Sequence, residues 1–466
     1  MNEAHELAEV IELSPAPAPV DVFRALATEQ RPIFFDSAIG HPTLGRYSFI
    51  AADPFGWITH PVGAADPLCE VQRYVQRFAA LTIPGLPPWQ GGAAGLLSYD
   101  LGASYERVPA TQYNEFPLPA IAVGLYDAMI AFDHQQNRAW IISHGWPKED
   151  SVERRQRAIE RAEWLKWRIT QPPRPLSGPP PQQPLVAPTY STPHGEQVCS
   201  NFSEALYLSA VTRAIEYIHA GDVFQVNLAQ RLIAPQQQHA AETYLRLRRQ
   251  NPAPFAAYLD LGDVQVASAS PERFLSVRNG EVETRPIKGT RPRGRDELKD
   301  RRLGAELTAN EKDRAENIMI VDLLRNDLSR TCTPTSVRVS TLCGLERYAH
   351  VQHLVSVIEG RLRTGLDACD LLRGAFPGGS ITGAPKVRAM EIIAELEPTA
   401  RGAYCGSLAY WGFDGAFDSS ILIRPLPATA GWWQAPVGGG IVADSVPQNE
   451  YEETWHKARG LVEVLI

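Results

Sequence analysis

Apolar positions along the chain follow two periods. Spacing of three and four, which lines one face of a helix, runs over Pro67 to Ala80, Val152 to Ile169, Glu311 to Leu328, Val387 to Glu395 and Glu450 to Leu465. Another helix is predicted from Ser203, an N-cap with Glu204 inside the first turn. Short β-like runs occur at Ile33-Phe34-Phe35 and Tyr47-Ser48-Phe49-Ile50. They recur at Ala256 to Leu261, Val264 to Ala269, Val337 to Thr341, Val351 to Ile358, Ser407 to Tyr410 and Ser420 to Arg424. No repeat of 20 to 50 residues is present. Strands clustered apart from helices predict an α+β fold with large antiparallel sheets, not regular βαβ winding.

Proline interrupts both patterns at one place. Nine of the 38 prolines fall between Pro172 and Pro193, in QPPRPLSGPPPQQPLVAPTYSTP, which has too few apolar residues to form a core. The chain therefore reads as an amino-terminal region, 1–170, a Pro-rich linker, 171–200, and a carboxyl-terminal region, 201–466. A length of 466 residues allows two or three such units without disulfide staples.

Composition narrows the class. Hydrophobic residues at 44% and charged residues at 21% are those of a folded globular chain. The formal charge of −8 argues against nucleic acid or an anionic membrane as a general partner. The acidic start Met-Asn-Glu-Ala-His-Glu-Leu lacks a signal-peptide h-region, and no apolar run reaches the roughly 18 residues of a membrane span. A cytoplasmic protein is expected. Its six cysteines show no C-x-x-C spacing, so they read as reduced, small apolar residues.

Two helices carry carboxylates where an apolar stripe should continue. Asp313 and Glu316 extend the face of Ile320, Leu323 and Asp327, and Glu450 and Glu453 extend that of Lys457, Leu461 and Val464. A solvated acidic first turn, favoured by the helix dipole, explains either pair by itself. Two pairs in one chain, with oxygen ligands and no adjacent His or Cys, suit Mg²⁺ shared with an anionic substrate. His350 and His353 offer no rival site, since a strand puts residues three apart on opposite faces. His353 alone reads more readily as a satisfied core residue than as a catalytic one.

Three further segments are candidates for chemistry. Gly378 to Lys386, GGSITGAPK, has glycines at phosphate-loop separation, but Ala384-Pro385 stands where Lys and Ser or Thr are needed. Gly438, Gly439 and Gly440 either open backbone N–H groups to a carboxylate or make a tight turn between strands. In TRPIKGTRPRG, Lys288 lies among arginines; enclosure there would favour its neutral, nucleophilic amine over a solvated charge.

Taken together, SPERF at 270–274, TRPIKGTRPRG at 284–294, ENIMIVDLLRNDLSR at 316–330, HLVSVIEG at 353–360, FPGGSITGAPKVRAMEII at 376–393, and GGGIVADS with EYEETWHKAR at 450–459 resemble the chorismate-utilising enzymes. FFDS at 34–37, GRYSFIAADP at 45–54 and GGAAGLLSYDLG at 91–102 are similar to that family's amino-terminal region. The resemblance implies an anthranilate synthase component I-like fold with two interlocked subdomains, and a chorismate-binding catalytic region over 201–466. Gln225 stands where water-adding members carry a lysine, which is similar to the ammonia-using members. Lys288 stands where anthranilate synthases carry alanine, which is similar to the branch that forms 4-amino-4-deoxychorismate for p-aminobenzoate and folate. Anthranilate formation is the alternative.

The resemblance further implies roles. Lys288 is the covalent nucleophile, Glu272 the general acid, and His353 lies by the substrate ring. Gln225, Thr290, Tyr410, Arg424, Gly438, Gly439, Gly440 and Lys457 hold chorismate. Mg²⁺ is held by Glu316 and Glu453, with Asp313 and Glu450 acting through water. No cysteine sits in a G-x-C-x-G elbow, so ammonia is expected from a separate glutamine amidotransferase subunit. Asp36, Ser37, Arg46, Pro254 and Phe255 match the family's tryptophan pocket, from which Ala256 departs where methionine is common.

Overall fold

The computed structural model describes residues 7–39, 44–348 and 351–466. Among them, two antiparallel sheets of thirteen and ten strands carry the chain, flanked by helices, so the expected α+β class holds. The larger sheet begins with Glu9–Leu13, Arg138–Ser143, Ala128–Asp133, Tyr47–Ala51 and Ile33–Asp36. It continues without a break into Phe255–Asp260, Val264–Ser270, Pro425–Thr429, Trp432–Ile441 and Gln225–Pro235. The seam is an ordinary ladder, with Phe34 opposite Tyr258 and Asp36 opposite Ala256. The smaller sheet is joined in the same way, Ser407–Gly412 pairing with Gly92–Leu97. Strands from before and after the linker thus share both sheets.

Alternation along these strands explains the layers. Ile33, Phe49, Leu96, Leu259, Val266, Leu408 and Leu422 meet between the sheets. Outside the larger sheet, Phe23, Leu165, Tyr244 and Leu461 anchor the helices Pro19–Leu26, Ser151–Thr170, Ala240–Gln250 and Pro447–Leu465. Outside the smaller one, Leu68, Leu324 and Leu371 do the same for Leu68–Arg77, Glu311–Ser329 and Ala368–Ala375. The Pro-rich segment crosses the surface without helix or strand from 172 to 189. It is pinned where Trp432 Nε1 donates to the Gln183 carbonyl at 2.8 Å and where Glu115 accepts from the backbone N–H of Val186 and Ala187.

The sequence reading differs from the structure at Ser420 to Arg424 and leaves several helices unassigned. Ser420 to Arg424 is not a strand: pairing ends at Ser420, Ile421 N–H turns to the Glu272 carbonyl, and Arg424 takes a positive φ of 58°. Glu297–Ala309, to which the apolar spacing assigns no element, is a helix capped by Asp296, whose side chain accepts from Lys299 N–H. Its polar surface hides the period, because it rests on the sheet by few residues, chiefly Gly304 and Leu307. His350 lies outside the described residues.

Candidate active site

At one end of the two sheets, the edge strand Ile287–Pro292 pairs with Val351–Arg361, setting Lys288 opposite Leu354 and Thr290 opposite His353. Lys288 Nζ donates to the Ser380 carbonyl at 3.4 Å, and Ser380 Oγ donates to Glu272 Oε1 at 3.0 Å. Glu272 is buried, and burial pushes its carboxyl up to about 7 against the pull of Lys288 and the Ser380 hydroxyl. Burial also lowers the Lys288 ammonium from its ordinary range, resisted by Glu316 and Glu272. Acid and amine therefore both approach neutrality in the protonation states that chemistry needs.

Beside them, Thr290 Oγ1 lies 2.9 Å from His353 Nδ1. Burial, reinforced by the Arg424 charge, takes the His353 imidazole down to about 4, so it is neutral at physiological pH. Arg424 is exposed and, among the described residues, has no side-chain hydrogen bond or ion pair, which leaves its fork open to an anion.

The two acidic helices face each other across this cleft. Asn310 caps the first, accepting from Asp313 N–H at 2.8 Å, and so fixes the turn that presents Glu316. Lys312 Nζ stands 4.0 Å from Glu316 and 3.9 Å from Glu450, on the opposing helix. Burial raises the carboxyls of Glu316 and Glu450. It also pushes on Glu453, but Lys457 at 2.6 Å outweighs it and holds that carboxyl below its ordinary range. Lys457 also donates to the Gly438 carbonyl at 2.9 Å, and Ser445 to Glu450 at 2.6 Å. Asp313 is pulled aside to Arg291 at 3.3 Å.

These residues fit a hard cation in donor type. All are oxygen donors, and carboxylates of both helices already gather about one ammonium. Among the described residues no three of His, Cys, Asp and Glu converge as a metal cage. A cation here would use one or two carboxylates and complete its shell with water and substrate.

Gly438, Gly439 and Gly440 do not make a turn. They lie inside the strand Trp432–Ile441, opposite Ala229, Leu228 and Asn227. Their missing side chains permit close approach: a Cβ on Gly438 would run into the Leu228 carbonyl, one on Gly440 would stand 2.7 Å from Gln225 Nε2, and one on Gly439 would stand 3.4 to 3.6 Å from Glu450, Glu453 and Lys457. The Gln225 amide is fully buried and, among the described residues, has no hydrogen-bond partner for either polar atom.

Tyr410 departs from the expected group. Its ring stacks on Trp89 at 5.4 Å, and the charges that reach it are those of Asp418, Arg278, Arg273 and Asp414, not those of Lys288, Glu316 or Glu453. Strand alternation turns it between the sheets, where it lines a separate cavity of about 910 Å³ with Asp36, Ser37, Arg46, Pro254 and Phe255. There Asp36 is engaged by Tyr244 and Arg248, and Arg46 by Asp133. Ser380 and Lys312, the two bridging residues of the site, were not foreseen; glycines around Ser380 were the only signal.

This arrangement has counterparts. A family model described as chorismate binding enzyme matches residues 35–463. The chain belongs to the chorismate-binding enzyme family. It is 41% identical over 440 residues to aminodeoxychorismate synthase component 1 of Salmonella typhimurium, covering 91% of this chain and 90% of that one. It is 42% identical over 405 residues to anthranilate synthase component 1 of Thermus thermophilus, covering 87% and 83%. The crystal structure of anthranilate synthase component I from Streptococcus pneumoniae superposes with a TM-score of 0.75 at 29% identity, covering 90% and 92%. As a chorismate-binding enzyme the chain has a dicarboxylate as substrate, which accords with an open Arg424 and a cleft that can add a cation. Among the described residues, no helix is long and apolar enough to cross a membrane.

Proposed function

We propose that the chain aminates chorismate at C4 to give 4-amino-4-deoxychorismate. The observation that carries this reading is Lys288: an amine shifted toward its neutral form, on the same serine as a carboxyl that still holds a proton near pH 7. Lys288 attacks C2 of chorismate as both ring double bonds shift and the C4 hydroxyl, protonated by Glu272, leaves as water. Ammonia then attacks C4, both double bonds shift back, the lysine amine is expelled from C2, and the proton shed by the new ammonium returns to Glu272. Chorismate and ammonia are thereby converted into product and water, with pyruvate retained.

Other residues bind and orient. Arg424 pairs with a carboxylate, Thr290 holds neutral His353 toward the ring, and the open strand at Gly438 to Gly440 admits substrate beside Gln225 and Lys457. Glu316 and Glu453, with Asp313 and Glu450 acting through water, would hold Mg²⁺, which when bound supplies positive charge opposite the ring carboxylate. Ammonia would come from a glutamine amidotransferase: the relatives above are named as component 1, and this chain has no cysteine elbow of its own.

Relatives of both names stand at similar identity, so anthranilate formation is the competing reading; Lys288 favours amination without elimination. Incubation with chorismate, Mg²⁺ and a large excess of ammonium near pH 7 should yield 4-amino-4-deoxychorismate and no pyruvate, and Lys288→Ala should abolish it. Anthranilate fluorescence with pyruvate release would decide for the rival. The 910 Å³ cavity we assign to tryptophan; calorimetric titration with tryptophan tests that assignment, and absence of heat at millimolar ligand would refute it.

A further inference from the structure

The glycine-rich segment that resembles a phosphate loop has a different use. Ser380 sits in the short 3₁₀ turn Gly379–Ile381 and is buried. It contacts both groups of the proposed reaction, accepting from Lys288 Nζ with its carbonyl and donating to Glu272 with its hydroxyl. The turn is fixed from several sides. Arg401 Nη1 donates to the Ile381 carbonyl at 3.0 Å, Asn227 N–H to the Thr382 carbonyl at 2.7 Å, and Thr382 Oγ1 to the Gly378 carbonyl at 3.0 Å. At Gly379 a Cβ would lie 2.3 Å from Leu323 Cδ2, so the turn is pressed onto the helix that carries Glu316.

We propose that Ser380 is a positioning residue that ties the acid to the nucleophile, setting the orientation of Glu272 through its hydroxyl and of Lys288 through its carbonyl. The inference rests on the reading of those two residues as acid and nucleophile. Besides the hydroxyl on Oε1, the backbone N–H of Ile287 reaches the Glu272 carboxyl, and Lys288 is the charge that faces it. A neutral amine that spends one N–H on a carbonyl points its lone pair away from that carbonyl, toward the cleft. Both reactants are thereby oriented before substrate arrives, which is where such a device acts on rate. The remaining charges that reach Lys288, from Glu316, Glu453 and Lys457, lie on other elements and are untouched by a change at Ser380.

Ser380→Ala removes the hydroxyl and keeps the carbonyl. Without the donor, ionised Glu272 loses support, and its proton is retained to higher pH. Labelling of Lys288 by trinitrobenzenesulfonate, followed by peptide mass spectrometry without chorismate, should then become roughly threefold faster at pH 7, since the amine faces a carboxylate less of the time. In a Glu272→Gln background the same substitution should leave labelling unchanged. With chorismate and ammonium, the alkaline limb of kcat/KM should move up by about one pH unit, a tenfold change in proton affinity. Labelling that superimposes on wild type, or an increase that persists when Ser380→Ala is combined with Glu272→Gln, would overturn the proposal. Wild-type protein that fails to aminate chorismate would instead overturn the functional reading, while labelling still decides the role of Ser380.

Discussion

At Glu272 the same burial that suits it to give up a proton weakens the fold. Its folded carboxyl titrates near 7 instead of near 4.5, so the folded state prefers the protonated form. That preference contributes fully below pH 4.5 and is lost as pH rises through 7, at a cost on the order of 3 kcal/mol for the ionised group. Glu272→Gln, which keeps the shape of the neutral acid, should abolish chorismate turnover yet raise stability at pH 8 by up to about 3 kcal/mol. Denaturant unfolding at pH 5 and pH 8 checks this: the gain should shrink at the lower pH. Activity carries the same sign, falling as pH rises through 7 and Glu272 loses its proton. Sequence alone raised Lys288 and Glu272 through motifs, but Ser380 between them was not legible. Its contact with Glu272 spans 108 positions and depends on a turn whose only local sign is glycine.

The carboxylate helices were legible because a charge inside an apolar stripe breaks a period that can be counted. What could not be counted was which faces meet, since that is decided by the pairing of Gln225–Pro235 with Trp432–Ile441. The same limit hid which face of its strand Tyr410 occupies, since one residue of register exchanges the faces of a strand. Element ends matter to the site as well. Asn310→Ala removes the cap of the helix that presents Asp313 and Glu316. It should cost about 1 kcal/mol of stability and raise the Mg²⁺ concentration needed for half-maximal turnover, while ammonium dependence stays unchanged. An unaltered Mg²⁺ requirement would detach that helix end from the cation.

Across the whole molecule, the proline segment suggested a division that the ladders do not follow. It remains exposed and irregular, as its composition dictates, but it joins two stretches of chain that complete each other's sheets. Cleavage by an engineered protease site between Pro175 and Pro181 should therefore leave one particle by gel filtration, with turnover within about twofold of the intact chain. Residues 1–170 expressed alone should not unfold cooperatively, because the strands Ile33–Asp36 and Gly92–Leu97 would each lose a neighbour. A stable, cooperative fragment would refute this.

The two seams also set an order of events during synthesis. Ile33–Asp36 leaves the ribosome more than 200 residues ahead of Phe255–Asp260, and Gly92–Leu97 more than 300 ahead of Ser407–Gly412. At about 5 to 20 residues per second, apolar strand edges wait tens of seconds for the partners that cover them. Chaperones that shield β edges should therefore raise the soluble yield of the nascent chain. Rare codons after the proline segment, by lengthening that wait, should reduce soluble yield without changing a single residue of the enzyme.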